Sequence, residues 1–158
     1  MCLITLRNGY MFKNSDKDTM IHPSIKTDST IAVYLRRSQE KDPQSGEEET
    51  LAHHRQQLEA YIERHGLTNV TFFNEISSAE SIADRLVFTS LLERIKHIEF
   101  DAVLVVHADR ISRGSQQEAG YIQDIFKDTG TILITPDKVY DYNNESDLLM
   151  SEFQSVIA

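Results

Sequence analysis

Short apolar segments alternate with amphipathic helical segments along this chain from Ile31 onward. Four segments read as buried strands because they are rich in aliphatic, β-branched or aromatic residues: 31–35, 70–73, 102–106 and 131–135. Strands separated by helices in this way form parallel sheets with right-handed crossovers. The sequence therefore predicts an α/β fold, a mainly parallel sheet of four or five strands with helices on both faces.

Three helices are predicted between these strands from helical spacing of apolar residues. The first begins at the acidic residues 47–49, and the second has its apolar positions within residues 88–98. The third begins with a capping box formed by Ser115 and Glu118, and it ends before Gly130. Its apolar stripe is expected to include Tyr121, Ile122, Ile125 and Phe126.

The chain of 158 residues has the size of one domain with an extension. Residues 1–30 show no sustained period and are expected to form a poorly ordered N-terminal extension. Residues 31–158 are expected to form the domain. An apolar stripe within residues 148–157 runs to the last residue without a cap, so we expect a domain truncated within a C-terminal helix of a longer protein.

Charge and composition limit the possible partners and compartment. The chain has 16 basic and 25 acidic residues, a net charge of −9, whereas a free-standing DNA-binding domain normally has a basic surface. Any strong grip on DNA is therefore expected from another part of a longer protein. A single cysteine, Cys2, and the lack of a signal sequence or an apolar run of membrane-spanning length favour a cytoplasmic protein without a membrane partner.

Candidate functional residues follow the first three strands, where the carboxyl ends of a parallel sheet gather binding and catalytic groups. After the first strand, period-two geometry places Tyr34, Arg36 and Ser38 on one side. The two later connections add charged residues at the same edge: Arg85, and then Asp109, Arg110 and Arg113. Three successive connections thus bring arginine to one edge of an acidic protein.

Converging guanidinium groups repel one another and are tolerated mainly where an anion binds. Phosphate fits best, because the planar fork of arginine matches two of its oxygens. A serine among such arginines, here Ser38, could attack phosphorus, with fixed positive charge stabilising the transition state. The simpler alternatives are that each arginine is a solvated surface residue, that Ser38 is a turn residue, and that Asp109 only pairs with Arg110 or Arg113.

Taken in order, these motifs resemble the serine recombinase family of resolvases, invertases and large serine integrases. The resemblance covers about residues 31–158 and rests on three motifs: Tyr34-x-Arg36-x-Ser38, the Ser78 loop leading to Asp84-Arg85, and Asp109-Arg110-x-x-Arg113. The polar loop 41–49 is longer than in small resolvases, which favours the large integrase or transposase branch.

The resemblance implies a role for each site residue. Ser38 would attack the scissile phosphate, giving a 5′-phosphoserine link and a free 3′-hydroxyl. The phosphate and the transition state would be bound by the four arginines Arg36, Arg85, Arg110 and Arg113. Asp109 would orient arginines or assist proton movement, and Tyr34 would shape the site. No cofactor, metal or ATP is implied.

The resemblance also implies partners. Family members act as dimers that synapse into a tetramer on DNA, exchange strands and rejoin them; DNA would be bound mainly through a region beyond this chain. The sequence departs from many relatives at Ala79, where they carry Gly, and at Leu86, where they carry Pro, so the geometry of that loop is expected to differ. His54 lies near a position where relatives often have Gln, and no role is transferred to it.

Two other functions compete with this interpretation. A receiver-like or nucleotide-binding module on a similar sheet would need acidic residues at the strand ends, where the first strand instead has Arg36 and Ser38. A metal-dependent nuclease or phosphatase would need several carboxylates at one edge, and only Asp84 and Asp109 qualify. The pair His53-His54 is expected to be surface or partly buried, with metal ligation as its alternative.

Overall fold

A five-stranded sheet forms the centre of the molecule. The computed structural model describes residues 21–37, 47–77, 81–112 and 114–144, with only the backbone of residues 47–50 and Ser112. The strands lie in the order β2-β1-β3-β4-β5, and β5 alone is antiparallel to its neighbour. Their bounds are β1 Thr30–Arg37, β2 Asn69–Ile76, β3 Ala102–Leu104, β4 Ile132–Ile134 and β5 Val139–Tyr140.

Four α-helices connect these strands: α1 Glu47–Arg64, α2 Leu86–Lys96, α3 Asp109–Ser112 and α4 Gln116–Thr129. A 3-10 turn, Ile82–Asp84, precedes α2. The predicted capping box is present at α4, where the Ser115 hydroxyl and the Glu118 carboxylate each accept from the other's backbone N–H. Gly130 ends that helix with a left-handed φ of 68°, a conformation that glycine adopts without strain. The predicted α/β fold class is confirmed.

Helices cover both faces of the sheet because alternate residues of each strand point to opposite sides. Ala32 and Tyr34 pack in a core with residues of α2 and α4, including Phe88 and Phe126. The neighbouring strand positions Ile31, Val33 and Leu35 pack on the other face with Leu58 and Tyr61 of α1. A fully buried aliphatic or aromatic side chain contributes about 1.5 to 3 kcal/mol, so these two cores hold the strand ends in place.

Several boundaries differ from those predicted. Helix α2 ends at Lys96, and Ile98, predicted on its apolar face, is 69% exposed with a φ of 58°. Tyr121 is 46% exposed although it was expected on the buried stripe of α4. Strand β3 ends at Leu104, two residues earlier than predicted, although Val105 and Val106 stay buried and the Val105 N–H still donates to the Ile134 carbonyl at 2.9 Å.

The described end of the N-terminal extension packs against the domain. Ile25 is buried in the core on the α1 face, and the Thr68 N–H donates to the Thr27 carbonyl at 2.9 Å. The His22 imidazole lies 3.5 Å from the Asp141 carboxylate, beyond β5. Disorder of the extension remains a prediction for residues 1–20, which lie outside the described part, as does the predicted helix within residues 148–157.

Candidate active site

The three connections that carry the candidate residues meet at one edge of the sheet. Strands β1, β2 and β3 are parallel, so their carboxyl ends lie together. The connection after β2 stays attached to β1, because the Ser77 N–H donates to the Arg37 carbonyl at 2.8 Å. Arg36, two residues beyond Tyr34, is partly exposed at this edge, and its Cα pairs with that of Glu75.

Tyr34 is a buried phenol with two charged neighbours. Its side chain is 1% exposed, and its hydroxyl donates to Glu75 Oε2 at 2.6 Å. Burial raises the pKa of Tyr34, the hydrogen bond to Glu75 raises it further, and the Arg85 charge opposes both effects. The phenol therefore stays protonated at neutral pH and serves as a donor to Glu75 and an acceptor from Arg85.

Among the described residues, Arg85 is the largest fully buried side chain, with 1% exposure. Its Nη2 donates to the Tyr34 hydroxyl at 3.1 Å and to the Arg110 carbonyl at 2.6 Å. Its Nη1 donates to the Ile111 carbonyl at 3.2 Å, and its guanidinium carbon lies 4.2 Å from the ring centroid of Phe88. The guanidinium thus links the end of β1 to the backbone of α3.

These contacts define what Arg85 can do in this conformation. Its guanidinium donors are directed at a hydroxyl and two carbonyls, and the side chain has almost no contact with solvent. A phosphate could reach it only after the connection carrying α3 had moved. In this structure Arg85 fixes the backbone that carries Arg110.

Glu75 was not among the residues predicted for the site. It is 4% exposed at the end of β2, and besides the Tyr34 hydroxyl it accepts the N–H groups of Val87 at 3.0 Å and Phe88 at 3.2 Å. These N–H groups lie in the first turn of α2, whose cap residue, Arg85, supplies no side-chain cap. The sequence did contain one indication of its burial: residues two apart in a strand share a face, so Glu75 lies on the same face as Phe73, which packs against the core.

Asp109 and Arg110 begin the short helix α3. The backbone carbonyl of Arg110 accepts a hydrogen bond from Arg85. The side-chain Nε of Arg110 is buried and has no hydrogen-bond partner in the described part of the chain. The Asp109 carboxylate is exposed and forms no ion pair with any arginine in the ranges that the structure describes. The alternative in which Asp109 only pairs with Arg110 is therefore not seen in this conformation, and a pairing with Arg113 falls outside the described residues.

Two histidines lie at the same edge. The rings of His54, on α1, and His107, after β3, make an edge-to-face contact with centroids 6.1 Å apart. Partial burial lowers the pKa of His54, and the nearby charges of Arg110, His107 and His53 lower it further, against a weaker opposite effect of Asp109. His54 is thus partly buried beside the α3 connection, which is one of the two environments expected for the His53-His54 pair.

The structure brings Tyr34, Arg85 and Arg110 together and places Arg36 at the same edge. Ser38, Ser78 and Arg113 lie outside the described residues, so the position of the nucleophile remains a prediction. Across the described ranges, no group of three or more His, Cys, Asp or Glu side chains could hold a metal ion. Nor does any helix in those ranges have the length and apolar character needed to cross a membrane.

Solved structures with a similar fold include two catalytic domains and a serine recombinase. One is the N-terminal catalytic domain of TP901-1 integrase, with 22% identity and a TM-score of 0.59 over 81% of this chain and 92% of that chain. Another is the C-terminal catalytic domain of ISC1926 TnpA, an IS607-like serine recombinase, with 20% identity and a TM-score of 0.54 over 80% of each chain. A serine recombinase from Sulfolobus solfataricus has 18% identity and a TM-score of 0.52, covering 82% and 81%.

The sequence itself matches a family model. Residues 31–158 match the model described as Resolvase, N terminal domain. This match includes all the residues predicted for the site, from Tyr34 to Arg113, and the whole sheet except the first residue of β1. The chain therefore belongs to the resolvase family and is the catalytic domain of a serine site-specific recombinase.

Proposed function

We propose that this catalytic domain cleaves DNA with Ser38 as the nucleophile and rejoins it without metal or ATP. DNA is the substrate of the family, and its members oligomerise. The observation that supports the proposal is the contact of Arg85 with both Tyr34 and the Arg110 carbonyl, which fixes an arginine-bearing connection beside the strand that leads to Ser38. Only Arg37 separates Ser38 from Arg36 in the sequence.

In the proposed reaction the Ser38 oxygen forms a bond to phosphorus while the bond from phosphorus to the 3′ oxygen breaks. The Ser38 hydroxyl gives up its proton and the leaving oxygen takes one up to become a 3′-hydroxyl, so the protons balance, and the 5′ end stays linked to Ser38 as a phosphoester. Attack by a 3′-hydroxyl of the exchanged strand reverses the step. The ester conserves the energy of the broken bond, so rejoining requires no nucleotide.

The roles of the charged residues follow from where each can act. Arg36, Arg110 and Arg113 would bind the phosphate and stabilise the negative charge that develops in the transition state. Arg85 would hold the backbone of Arg110, and Tyr34 would hold Arg85. Asp109 would orient arginines or assist proton movement once DNA is bound. Removing one phosphate contact, as in Arg110→Ala, is expected to slow cleavage about 100- to 1,000-fold.

The wider organisation is part of the same proposal. Residues 31–158 would form the catalytic domain, preceded by an extension, and a net charge of −9 favours DNA binding mainly through a further region. Dimers would assemble on each site and synapse into a tetramer for strand exchange. The polar segment predicted from the sequence at residues 41–49, whose last three residues lie in α1, favours the large integrase or transposase branch.

The test is covalent capture of the recombinase on its attachment-site DNA. We expect a protein–DNA adduct that forms in EDTA, maps to Ser38, and is lost in Ser38→Ala. Ser90→Ala, which changes an exposed serine of α2, is the matched control and should keep the adduct. Linkage through another residue, or loss of the adduct in EDTA, would overturn the mechanism.

A further inference from the structure

Glu118, in the first turn of α4, contacts a connection other than its own. Its Oε1 accepts hydrogen bonds from the Ile82 N–H at 3.0 Å and from the Ser81 hydroxyl at 3.2 Å, both on the connection between β2 and α2. Its Oε2 accepts from the Ser115 N–H at 3.4 Å, where the connection between β3 and α4 ends. One carboxylate therefore joins two of the connections that carry candidate arginines.

The contact at Ile82 also restrains Arg85. The Ile82 carbonyl accepts from the Arg85 N–H at 3.0 Å and from the Thr89 hydroxyl at 2.9 Å. The peptide groups on both sides of Ile82 are thus held, one by Glu118 and the other by the start of α2. Loss of the Glu118 contact would therefore loosen the backbone from which the Arg85 side chain begins.

The connection between β3 and α4 is attached to its neighbour at two separate points. The Arg85 guanidinium donates to two carbonyls of α3 at 2.6 and 3.2 Å. At the start of α4, Glu118 accepts from Ile82. Arg110 lies at the first point, and Arg113 lies between the two points in the sequence. Two attachments fix the orientation of a segment, whereas a single attachment would leave it free to pivot.

The electrostatic surroundings keep Glu118 ionised. The hydrogen bond from the Ile82 N–H is the largest of the effects that lower the pKa of Glu118, and the positive charge of Arg85 acts in the same direction. Desolvation of the carboxylate opposes them. At neutral pH the carboxylate is therefore a charged acceptor, and hydrogen bonds to charged groups are stronger than those between neutral groups.

We propose that Glu118 is a positioning residue for DNA cleavage: by holding Ile82 and, through it, Arg85, it keeps the arginines of two connections in the relative arrangement that cleavage requires. The inference rests on the proposed function, because it takes Arg110 and Arg113 as phosphate-binding groups. In this role Glu118 touches neither the DNA nor the reacting atoms. Its contribution is to the rate at which bound DNA reacts and not to the affinity for DNA.

The first test measures the rate of adduct formation between the recombinase and its attachment-site DNA. In Glu118→Gln we expect the rate constant at saturating DNA to fall about 10- to 100-fold, because a misplacement of about 1 Å can cost that much. Glutamine has one acceptor oxygen instead of two, so it cannot serve both connections as the carboxylate does. The DNA concentration that gives half the maximal rate should change by less than about twofold.

The matched control is Ser115→Ala, which removes the side-chain cap of the same helix. This substitution should lower the urea midpoint, because the Glu118 N–H loses its acceptor. It leaves the contacts of the Glu118 carboxylate with Ser81 and Ile82 in place, so we expect the wild-type rate. Equal losses of rate in the two variants would overturn the proposal, since a weakened start of α4 would then account for both. A wild-type rate in Glu118→Gln would overturn it as well.

A second readout does not depend on cleavage. Arg85 Nε donates to the Tyr34 hydroxyl at 3.4 Å inside the protein. Exchange of this Nε–H with solvent, followed by NMR in the 158-residue chain, measures how often the buried guanidinium becomes accessible. We expect several-fold faster exchange in Glu118→Gln and unchanged exchange in Ser115→Ala. The same exchange rate in Glu118→Gln as in the wild type would refute the restraint on Arg85.

The two readouts separate this proposal from the proposed function. If the wild type forms no adduct at Ser38, the proposed function fails, while the exchange measurement still decides whether Glu118 holds Arg85. If the adduct forms at Ser38 equally fast in Glu118→Gln and in the wild type, the positioning role is refuted and the proposed function stands.

Discussion

Arg85 carries its positive charge inside the protein, and no carboxylate of the described residues is in direct contact with it. Its compensation comes from the Tyr34 hydroxyl, two carbonyls of α3 and the face of the Phe88 ring. Dipoles and a π face stabilise a buried cation only when their geometry is fixed, since an unpaired buried charge is strongly unfavourable. The burial of Arg85 therefore indicates that the end of β1 and the backbone of α3 are held in fixed relative positions.

The substitution Arg85→Lys tests this at the level of one residue. Lysine keeps the charge but lacks the planar fork, so it cannot serve the hydroxyl and both carbonyls together. We expect the free energy of unfolding to fall by about 2 to 4 kcal/mol, measured by urea denaturation. Arg55→Lys is the control: Arg55 is exposed and paired with Glu59 on α1, and its replacement should change stability by less than about 0.5 kcal/mol. Equal losses in the two variants would show that the buried contacts of Arg85 contribute nothing.

At the scale of elements, buried or partly buried carboxylates of Glu75 and Glu118 accept hydrogen bonds that fix α2 and α4 on one face of the sheet. Glu75 of β2 caps the first turn of α2, as described above. Glu118 of α4 accepts from Ser115 in its own capping box and also from the Ile82 N–H at 3.0 Å. Helix α4 is thereby joined to the 3-10 turn that leads into Arg85.

Glu118→Gln should make this junction weaker and less sensitive to acid. The hydrogen bond from the Ile82 N–H is the main cause of a lowered pKa of Glu118. The ionised form is thus favoured by folding, so its contribution is complete above the ordinary glutamate pKa of about 4.3 and is lost as the pH falls through the lower folded value. We expect a lower urea midpoint for Glu118→Gln at pH 7 and a difference from the wild type that shrinks towards low pH.

The control for that comparison is Glu63→Gln, at an exposed position of α1. Its urea midpoint should follow that of the wild type at every pH. A difference between wild type and Glu118→Gln that stays constant down to low pH would contradict the assignment of the acid sensitivity to Glu118.

Local signals explain which elements could be predicted. The capping box at Ser115 and the glycine at 130 mark α4 because these residues act within one turn of their own helix. The cap of α2 was missed because Glu75 lies 12 residues away from Val87 and reaches it only through tertiary packing. Ile98 was misplaced for a related reason: its apolar side chain fits the helical period, but the helix ends two residues earlier.

The same distinction applies to the candidate site. The order of arginines after parallel strands predicted a shared edge, and strand direction places Arg36, Arg85 and Arg110 there. The burial of Arg85 beneath α3 could not be predicted from the sequence, because the spacing of residues does not indicate which element packs over a loop. The burial of Arg110 Nε could not be predicted for the same reason.

At the scale of the whole molecule, α1 is the only helix of the described residues that covers its face of the sheet, and the segment 21–29 contributes to the core there. Ile25 is 8% exposed within that core, alongside Leu58 of α1 and Ile132 of β4. The Thr27 carbonyl accepts from the Thr68 N–H, which fixes the segment at the start of β2. The domain is thus partly built from residues ahead of its first strand.

Ile25→Ala should therefore destabilise the domain. Removing a buried isoleucine side chain costs about 2 to 5 kcal/mol, and we expect the lower half of that range because the segment can shift towards the cavity. The measurement is the free energy of unfolding in urea. Leu86→Ala, at a side chain that is 76% exposed, should change it by no more than about 0.5 kcal/mol. A value for Ile25→Ala within that same margin would mean that the segment does not contribute to the folded core.

The contact between His22 and Asp141 brings together the segment ahead of β1 and the segment after β5. Strand β5 runs antiparallel to β4, so Asp141 lies at the amino edge of the parallel strands, opposite Arg110. A tag that replaced residues 1–20 would therefore begin on the side of the sheet away from the arginine-bearing edge.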